Sequence, residues 1–492
     1  MKKLFSARVT ATNSLAVIAI MASGAPFAVL SAQATKTKAP AKTAPAPVTK
    51  PAVTTMPAKQ QAPVTLIKNA TVLTVTKGTL ANTDVLLRNG KIAQIGKNIA
   101  TPAGAVVIDA TGKFVMPGII DPHSHMMSDA INEGSLSVTS MVRITDVLNP
   151  TAPNIYRALA GGVTTINVLH GSANTIGGQN ATVKLKYGMD VSDMMFPGAP
   201  PGIKFALGEN VTQKNRNTVV VQGQPTAPRR YPTSRMGQEE VLRDAFTRAR
   251  DYKATWEEYN SKVAKGDKTV LAPRRDLELE PLVEVLDGKR LVHAHSYRAD
   301  EMLMLLNLAD EFGFKIRTLQ HGLEGYKIAS EIAKHGAGLS TFADSWSYKI
   351  EAYDAIPYNV AILMRHGVLT TINSDSDERV RRLNIDAAKL MKYGGLTEDE
   401  ALRTITYNGA VQLGVEKNVG SIEVGKDADI AIWNAHPLSV YANVDKTFVD
   451  GIVFFDKQKD IAGRADKEKE RAELEKADAN TLPGARPRTI VP

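Results

Sequence analysis

The stretch 117–375 most constrains the fold, because short apolar runs alternate there with helix-prone segments. Six runs have the composition of buried strands, at 162–169, 203–207, 290–295, 315–321, 337–341 and 368–372. Helix-prone segments such as 300–311 and 324–335 lie between them. Strands that alternate with helices predict a parallel sheet. The stretch also has about the 250 residues typical of a (β/α)₈ barrel.

Both flanks of this stretch have the texture of β-structure. On the N-terminal side, strand-like runs occupy 65–75 and 84–95, the second with an Asn89-Gly90 turn. On the C-terminal side, 420–433 and 444–456 are again strand-like. We therefore predict a barrel over 117–416 and a composite β-sandwich domain over 64–116 and 417–457. Residues 458–492 should form a charged helix and a loose tail.

The first 63 residues have the features of an export signal and a linker. Three basic residues precede an apolar stretch over 15–30, and an Ala-x-Ala site ends at Ala34. Gly24 and Pro26 interrupt the apolar stretch, whereas a membrane span needs about 20 continuous apolar residues. We expect a signal peptide over 1–34, an Ala/Pro/Thr/Lys-rich disordered linker over 35–63, and an exported protein, periplasmic or secreted, without a membrane span after cleavage.

Cysteine content and charge exclude several classes of protein. The chain has no cysteine, which excludes disulfides, thiolate metal sites and a cysteine nucleophile. The formal net charge is +9, but residues 1–64 carry eight basic residues and no acidic one. The rest of the chain is therefore almost neutral, and we expect no nucleic-acid partner.

Polar residues that can bind a metal lie at the ends of the predicted barrel strands. They are His123, His125, Lys204, His295, His321 and Asp375. His123 and His125 are two residues apart on a strand, so their side chains point to the same face. A barrel carries its active site at the carboxyl ends of its strands. Each residue alone could be a hydrogen-bonded core group, but together they predict a site for a divalent metal.

The chain resembles the amidohydrolase superfamily, specifically its imidazolonepropionase-like and metal-dependent dipeptidase-like secreted members. The resemblance covers roughly 64–457. The motifs that carry it lie at 117–125, 161–165, 406–414 and 420–429. It implies a distorted (β/α)₈ TIM-like barrel flanked by a β-sandwich domain built from both chain ends, which is the architecture that the strand pattern predicts.

The resemblance also implies roles for the polar residues. His123 and His125 match the ligands of one metal ion, and His295 and His321 match those of a second. Asp375 matches the aspartate of the last strand, a metal ligand and the catalytic base. Lys204 matches a lysine that some members carboxylate to bridge two metals, and Glu209 is the alternative bridge.

Further residues are candidates for contacts with substrate. His293 shares a face with His295, and either could be the ligand, in which case the other is a nearby catalytic or substrate-binding group. His170, after the second strand, is a candidate for stabilising an oxyanion. Asn180, Arg230 and Arg235 are candidate substrate contacts, the arginines by clamping a carboxylate; a solvated basic turn is the alternative for them.

The sequence thus predicts a metal-dependent hydrolase that acts on non-standard or cyclic carbon–nitrogen bonds of a small molecule. Zinc is the expected metal, as one or two ions, with manganese or iron as alternatives. A periplasmic metallodipeptidase is the main rival, and a catalytically inactive binding protein on the same scaffold is a rival of another class. The oligomeric state is open, and a homo-oligomer is compatible with the sequence.

Overall fold

The structure is a computed structural model, and it describes residues 62–212 and 230–481. The predicted signal peptide and residues 35–61 of the predicted linker lie outside the described residues. Over the described ranges, we find no helix with the length and apolar character needed to cross a membrane.

The described residues form two sheets and surrounding helices. The strands are β1 Thr65–Leu73, β2 Thr79–Arg88, β3 Lys91–Gly96, β4 Val106–Asp109, β5 Phe114–Pro117, β6 Ile119–Ser124, β7 Val163–Val168, β8 Ile176–Lys184, β9 Gly202–Ala206, β10 Leu291–Ser296, β11 Ile316–His321, β12 Gly338–Thr341, β13 Thr370–Ile372, β14 Ile430–Trp433, β15 Val444–Val449 and β16 Ile452–Asp456. The helices are α1 Pro153–Ala160, α2 Val191–Met194, α3 Glu209–Thr212, α4 Arg235–Ala264, α5 Glu280–Leu286, α6 Ala299–Phe312, α7 Ala329–His335, α8 Asn359–Arg365, α9 Leu383–Gly394, α10 Glu398–Thr404, α11 Tyr407–Leu413, α12 Lys457–Ala462 and α13 Arg464–Thr481.

The strands β6 to β13 form a nearly closed eight-stranded barrel in chain order. Each of the six apolar runs predicted as strands overlaps a barrel strand. The barrel therefore confirms the predicted fold class, with one correction. Strand β8 runs antiparallel to both of its neighbours, β7 and β9, whereas the strand–helix pattern predicted a parallel sheet throughout.

The second sheet confirms that both ends of the barrel segment contribute to one β unit. Its strand order is β16-β15-β14-β5-β1-β2-β3, with β4 also paired to β1. Strand β14 pairs with β5, so C-terminal strands extend the sheet that N-terminal strands begin. Buried apolar residues from both parts, such as Ile67, Val85, Ile430 and Phe448, share one core.

A buried lysine joins the barrel to the second sheet. Lys184, at the end of β8, places its Nζ 2.6 Å from Asp427 Oδ2, 3.1 Å from Asp429 Oδ2 and 2.5 Å from Asp450 Oδ1. Asp427 and Asp429 precede β14, and Asp450 lies between β15 and β16. The three carboxylates could hold a metal, but they already pair with three lysines, because Lys91 also contacts Asp427 and Lys186 also contacts Asp450. We therefore assign them a structural role.

Candidate active site

His123 and His125 point their Nε2 atoms at each other at the end of β6. Apolar residues such as Ile119 and Ile120 anchor this strand in the core. His123 Nδ1 lies 3.0 Å from Gln320 Oε1, and His125 Nδ1 lies 3.0 Å from the carbonyl oxygen of Leu169. Both oxygens can only accept, so each Nδ1 carries the proton. The Nε2 lone pairs then face each other across 3.3 Å, an arrangement that requires a proton or a cation between them.

Asp375, which follows β13, completes the cluster with a carboxylate. Its Oδ1 lies 3.1 Å from His125 Nε2 and 3.5 Å from His123 Nε2, and its Oδ2 lies 3.8 Å from His321 Nε2. Burial raises the pKa of Asp375, but the hydrogen bond with His125 and neighbouring positive charge, including that of Lys204, outweigh burial and lower the pKa overall. The carboxylate is therefore anionic at neutral pH.

His295 and His321 present further ring nitrogens that lack a hydrogen-bond partner among the described residues. Their ring centroids are 4.7 Å apart, and His321 lies 4.6 Å from His123. Within the described part of the chain, both ring nitrogens of His295 lack a hydrogen-bond partner, and so does Nδ1 of His321. Burial lowers the pKa of His321 to about 3 and that of His295 well below its ordinary value, so both rings are neutral. Because buried polar atoms rarely lack partners, these nitrogens fit a metal site.

Lys204 and Glu209, the two predicted bridging residues, lie on different elements, and the choice between them stays a prediction. Lys204 is buried in β9, its Nζ donates to the carbonyl oxygen of His170 at 3.3 Å, and its charge acts on Asp375. Burial lowers the pKa of Lys204 to about 8, partly opposed by Asp375. Glu209 instead lies beyond the strand in α3, where its backbone N–H donates to Glu351 Oε1 at 2.7 Å.

The backbone and neighbouring rings hold His321 and Asp375 in place. His321 has φ of 73° and Asp375 has φ of 45°, left-handed values that are uncommon for residues with a side chain and often occur at functional sites. The His321 ring also stacks against Tyr297 at 5.1 Å and Phe342 at 4.9 Å. Sequence reasoning missed Gln320, Tyr297 and Phe342. Position was the only signal in the sequence. Gln320 is the second-last residue of a predicted strand, Phe342 directly follows one, and Tyr297 lies two residues beyond one.

His170 and His293 are the histidines predicted to assist catalysis, and both are buried. His170 Nε2 accepts the N–H of Glu133 at 2.9 Å, and its Nδ1 lies 2.9 Å from the carbonyl oxygen of Gly171, so backbone groups occupy both ring nitrogens. Burial lowers the pKa of His170 to about 4, which keeps the ring neutral. His293 pairs in register with Lys204. It therefore lies two residues further from the carboxyl end of β10 than His295 does. The structure thus favours His295 as the ligand.

The three predicted substrate contacts also lie elsewhere or are already engaged. Arg230 donates to backbone carbonyls, among them that of Leu136 at 3.0 Å. Arg235, the first residue of α4, forms ion pairs with Glu301 and, at 3.1 Å, with Glu351, whose side chains are both buried. Asn180 donates to Asn167 and lines a pocket with Pro201 and Arg290, which precede β9 and β10. That pocket is at the opposite end of the barrel. The substrate roles of these three residues therefore stay predictions.

Comparison with known proteins places the chain among amidohydrolases. The model of the amidohydrolase family matches residues 114–453. An amidohydrolase of Hapsidospora irregularis is 31% identical over 405 residues, which are 76% of this chain and 40% of that protein. An imidazolonepropionase of Mesorhizobium japonicum is 24% identical over 73% of this chain and 87% of its own length. A solved amidohydrolase from Thermotoga maritima is 33% identical with a TM-score of 0.71, over 80% of this chain and 100% of that one. The chain spans less than half the length of the first curated relatives that it matches.

Proposed function

Because the chain belongs to the amidohydrolase family, we propose that it is a metal-dependent hydrolase that cleaves a carbon–nitrogen bond of a small molecule. The class of bond that we propose is a cyclic or otherwise non-standard amide. The observation that carries the proposal is the pair of Nε2 atoms of His123 and His125, which face each other at 3.3 Å beside Asp375.

The ligands for the metal would come from four strand ends. His123, His125 and Asp375 would hold one divalent cation, with zinc as the first candidate. His295 and His321 would hold a second. A cation bound there supplies Lewis acidity and makes water a strong nucleophile near neutral pH.

Asp375 is suited to move the proton of the reaction. Its carboxylate is anionic at neutral pH and lies within hydrogen-bond reach of His125. In the proposed reaction it accepts a proton from the attacking water and returns that proton to the leaving nitrogen as the carbon–nitrogen bond breaks. The rings of Tyr297 and Phe342 keep the orientation of His321 fixed beside it.

Lys204 is suited to become a carbamate. With a pKa of about 8, a fraction of the side chain is the neutral amine, which can attack CO₂ and release a proton. The product would be a carboxylate that could serve as a further metal ligand beside the histidines. The Lys204→Ala variant should then bind less metal, and bicarbonate should raise the metal content of the wild-type protein.

Metal analysis combined with a substrate screen tests the proposed function. The purified protein should contain at least one equivalent of zinc, manganese or iron. A chelator should abolish turnover, and Zn²⁺ or Mn²⁺ should restore it. The screen should compare cyclic imides, N-acyl amino acids and dipeptides, and preference for dipeptides would establish the metallodipeptidase alternative. Well under one metal equivalent and no turnover of any class would favour the inactive binding protein.

A further inference from the structure

We propose that Asp121 is a positioning residue whose carboxylate closes the seam of the barrel between β6 and β13. In doing so, it fixes the histidines of β6 relative to Asp375. This inference rests on the metal-dependent function proposed above, and it assigns to a residue outside the metal cluster the task of holding the two halves of that cluster together.

The barrel has a seam between its first and last strands. Strands β6 and β13 are the two ends of the paired strand order, and the ladder pairing of the described residues does not join them. His123 and His125 lie on one side of this seam, and Asp375 lies on the other. The 3.1 Å contact between His125 Nε2 and Asp375 Oδ1 crosses it. The geometry of the cluster therefore depends on how firmly the seam is held.

The carboxylate of Asp121 bridges the seam with hydrogen bonds to both sides. Its Oδ1 accepts the N–H of His123 at 3.3 Å and the N–H of Ser374 at 3.2 Å. Its Oδ2 accepts the hydroxyl of Ser374 at 2.6 Å. Beside this bridge, the N–H of Asp375 donates to the carbonyl oxygen of His123 at 3.2 Å. Asp121 and Ser374 are both buried, so water does not substitute readily for these bonds.

The residues bonded by Asp121 are His123 itself and the immediate neighbour of Asp375. Removing the carboxylate leaves the N–H groups of His123 and Ser374 without that acceptor, although the Ser374 hydroxyl can still donate to the carbonyl oxygen of Ser376 at 3.1 Å. The two strand ends are then free to separate. Residues that orient metal ligands typically change metal affinity by about 10- to 100-fold when they are mutated. We expect a loss of this size for Asp121→Ala.

The test measures zinc affinity of the apo-protein by competition with a chromogenic chelator. Asp121→Ala should weaken zinc binding about 10- to 100-fold. Asp121→Asn should be closer to wild type, because its amide oxygen can still accept the two N–H groups. Ser374→Ala removes only the hydroxyl and should lie between wild type and Asp121→Ala. The double variant should be no weaker than Asp121→Ala, since both changes break the same bridge.

Asp84 offers a matched control for the loss of a buried carboxylate. It lies in β2 of the second sheet and accepts the N–H groups of Asn69 and Ile99, each at 2.9 Å. Asp84→Ala should lower the melting temperature but leave zinc affinity unchanged. Unchanged zinc affinity in Asp121→Ala, or an equal loss in Asp84→Ala, would overturn the inference. If Asp121→Ala does not fold, wild-type affinity in Ser374→Ala overturns it. A wild-type protein that binds no zinc would overturn the proposed function as well.

Discussion

The lysine that joins the two sheets gives a stability prediction whose size follows from its burial. The side chain of Lys184 is 1% exposed, and its Nζ contacts the carboxylates of Asp427, Asp429 and Asp450. Replacement by methionine keeps most of the length of the side chain but removes the cation that the three carboxylates share. Asp427 keeps Lys91 and Asp450 keeps Lys186, whereas Lys184 is the cation that contacts Asp429 among the ion pairs of the described residues. Removing one partner of a buried ion pair costs about 3–5 kcal/mol. We expect Lys184→Met to lower the free energy of unfolding by at least that amount.

Lys91 provides the matched control, because it contacts the same Asp427 from the surface. Its side chain is 47% exposed, and an exposed ion pair contributes only about 0–1 kcal/mol. Urea unfolding at pH 7, followed by circular dichroism, should therefore separate Lys184→Met from Lys91→Met. A loss below about 1 kcal/mol in Lys184→Met would refute the assignment of a structural role to Lys184.

The pH dependence of Lys184→Met follows from the carboxylates that it leaves. Burial raises the pKa of Asp429, and the charge of Lys184 opposes that rise. Without the lysine, the folded-state pKa rises further above the unfolded value. The variant should therefore be least stable above the raised pKa and should regain stability relative to wild type as the pH falls. A deficit that is the same at pH 7 and pH 5 would contradict this reasoning.

Three further predictions concern Asp375 in the site, Glu423 before β14 and Arg235 in α4. Asp375→Asn should lower kcat by about 10²- to 10⁴-fold, since it removes the proton acceptor, while bound zinc measured by mass spectrometry stays at half the wild-type content or more. Hydrogen bonding by Ser421, opposed by burial and aided by Lys77, lowers the pKa of Glu423 to about 2. The stabilisation that the Glu423 carboxylate provides is present above its unfolded-state pKa of about 4.3 and is lost as the pH falls towards 2. The difference in unfolding free energy between wild type and Glu423→Gln, measured by urea unfolding, should therefore shrink over that range. Arg235→Met should lower the melting temperature and shift KM equally for acidic and neutral substrates, because its guanidinium is already paired; a selective rise in KM for acidic substrates would restore its predicted role as a carboxylate clamp.

The barrel strands could be predicted because they are continuous apolar runs, whereas β8 could not. Strand β8 begins with Ile176-Gly177-Gly178 and continues through polar residues, a composition typical of a loop. The structure shows why the glycines are there. A Cβ at Gly177 would lie 2.7 Å from His170 Nδ1, and one at Gly178 would lie 2.7 Å from Val142 Cγ2. The strand needs glycine at these two positions because neighbouring side chains pack closely against its backbone. The sequence does not reveal this packing.

The site shows the same division between local pattern and tertiary contact. Strand alternation predicted that His123 and His125 share a face, and the structure brings them together. Alternation failed for Gln320 and His321, which are adjacent but both face the cluster, because the left-handed φ of 73° at His321 turns the chain. The arginines near 230 could not be judged from the sequence, since their partners come from distant segments such as Glu301 and Glu351.

Equilibrium dialysis of the apo-protein against Zn²⁺ tests the central claim most directly, with wild type compared with a His123→Ala/His125→Ala variant. Wild type should bind at least one equivalent of zinc tightly, and the variant should lose that equivalent while keeping its circular dichroism spectrum. The control is His335→Ala, which removes a buried histidine that accepts the N–H of Ile316 at the start of β11, the opposite end of that strand from His321. Equal zinc binding by wild type and the double variant would contradict the account.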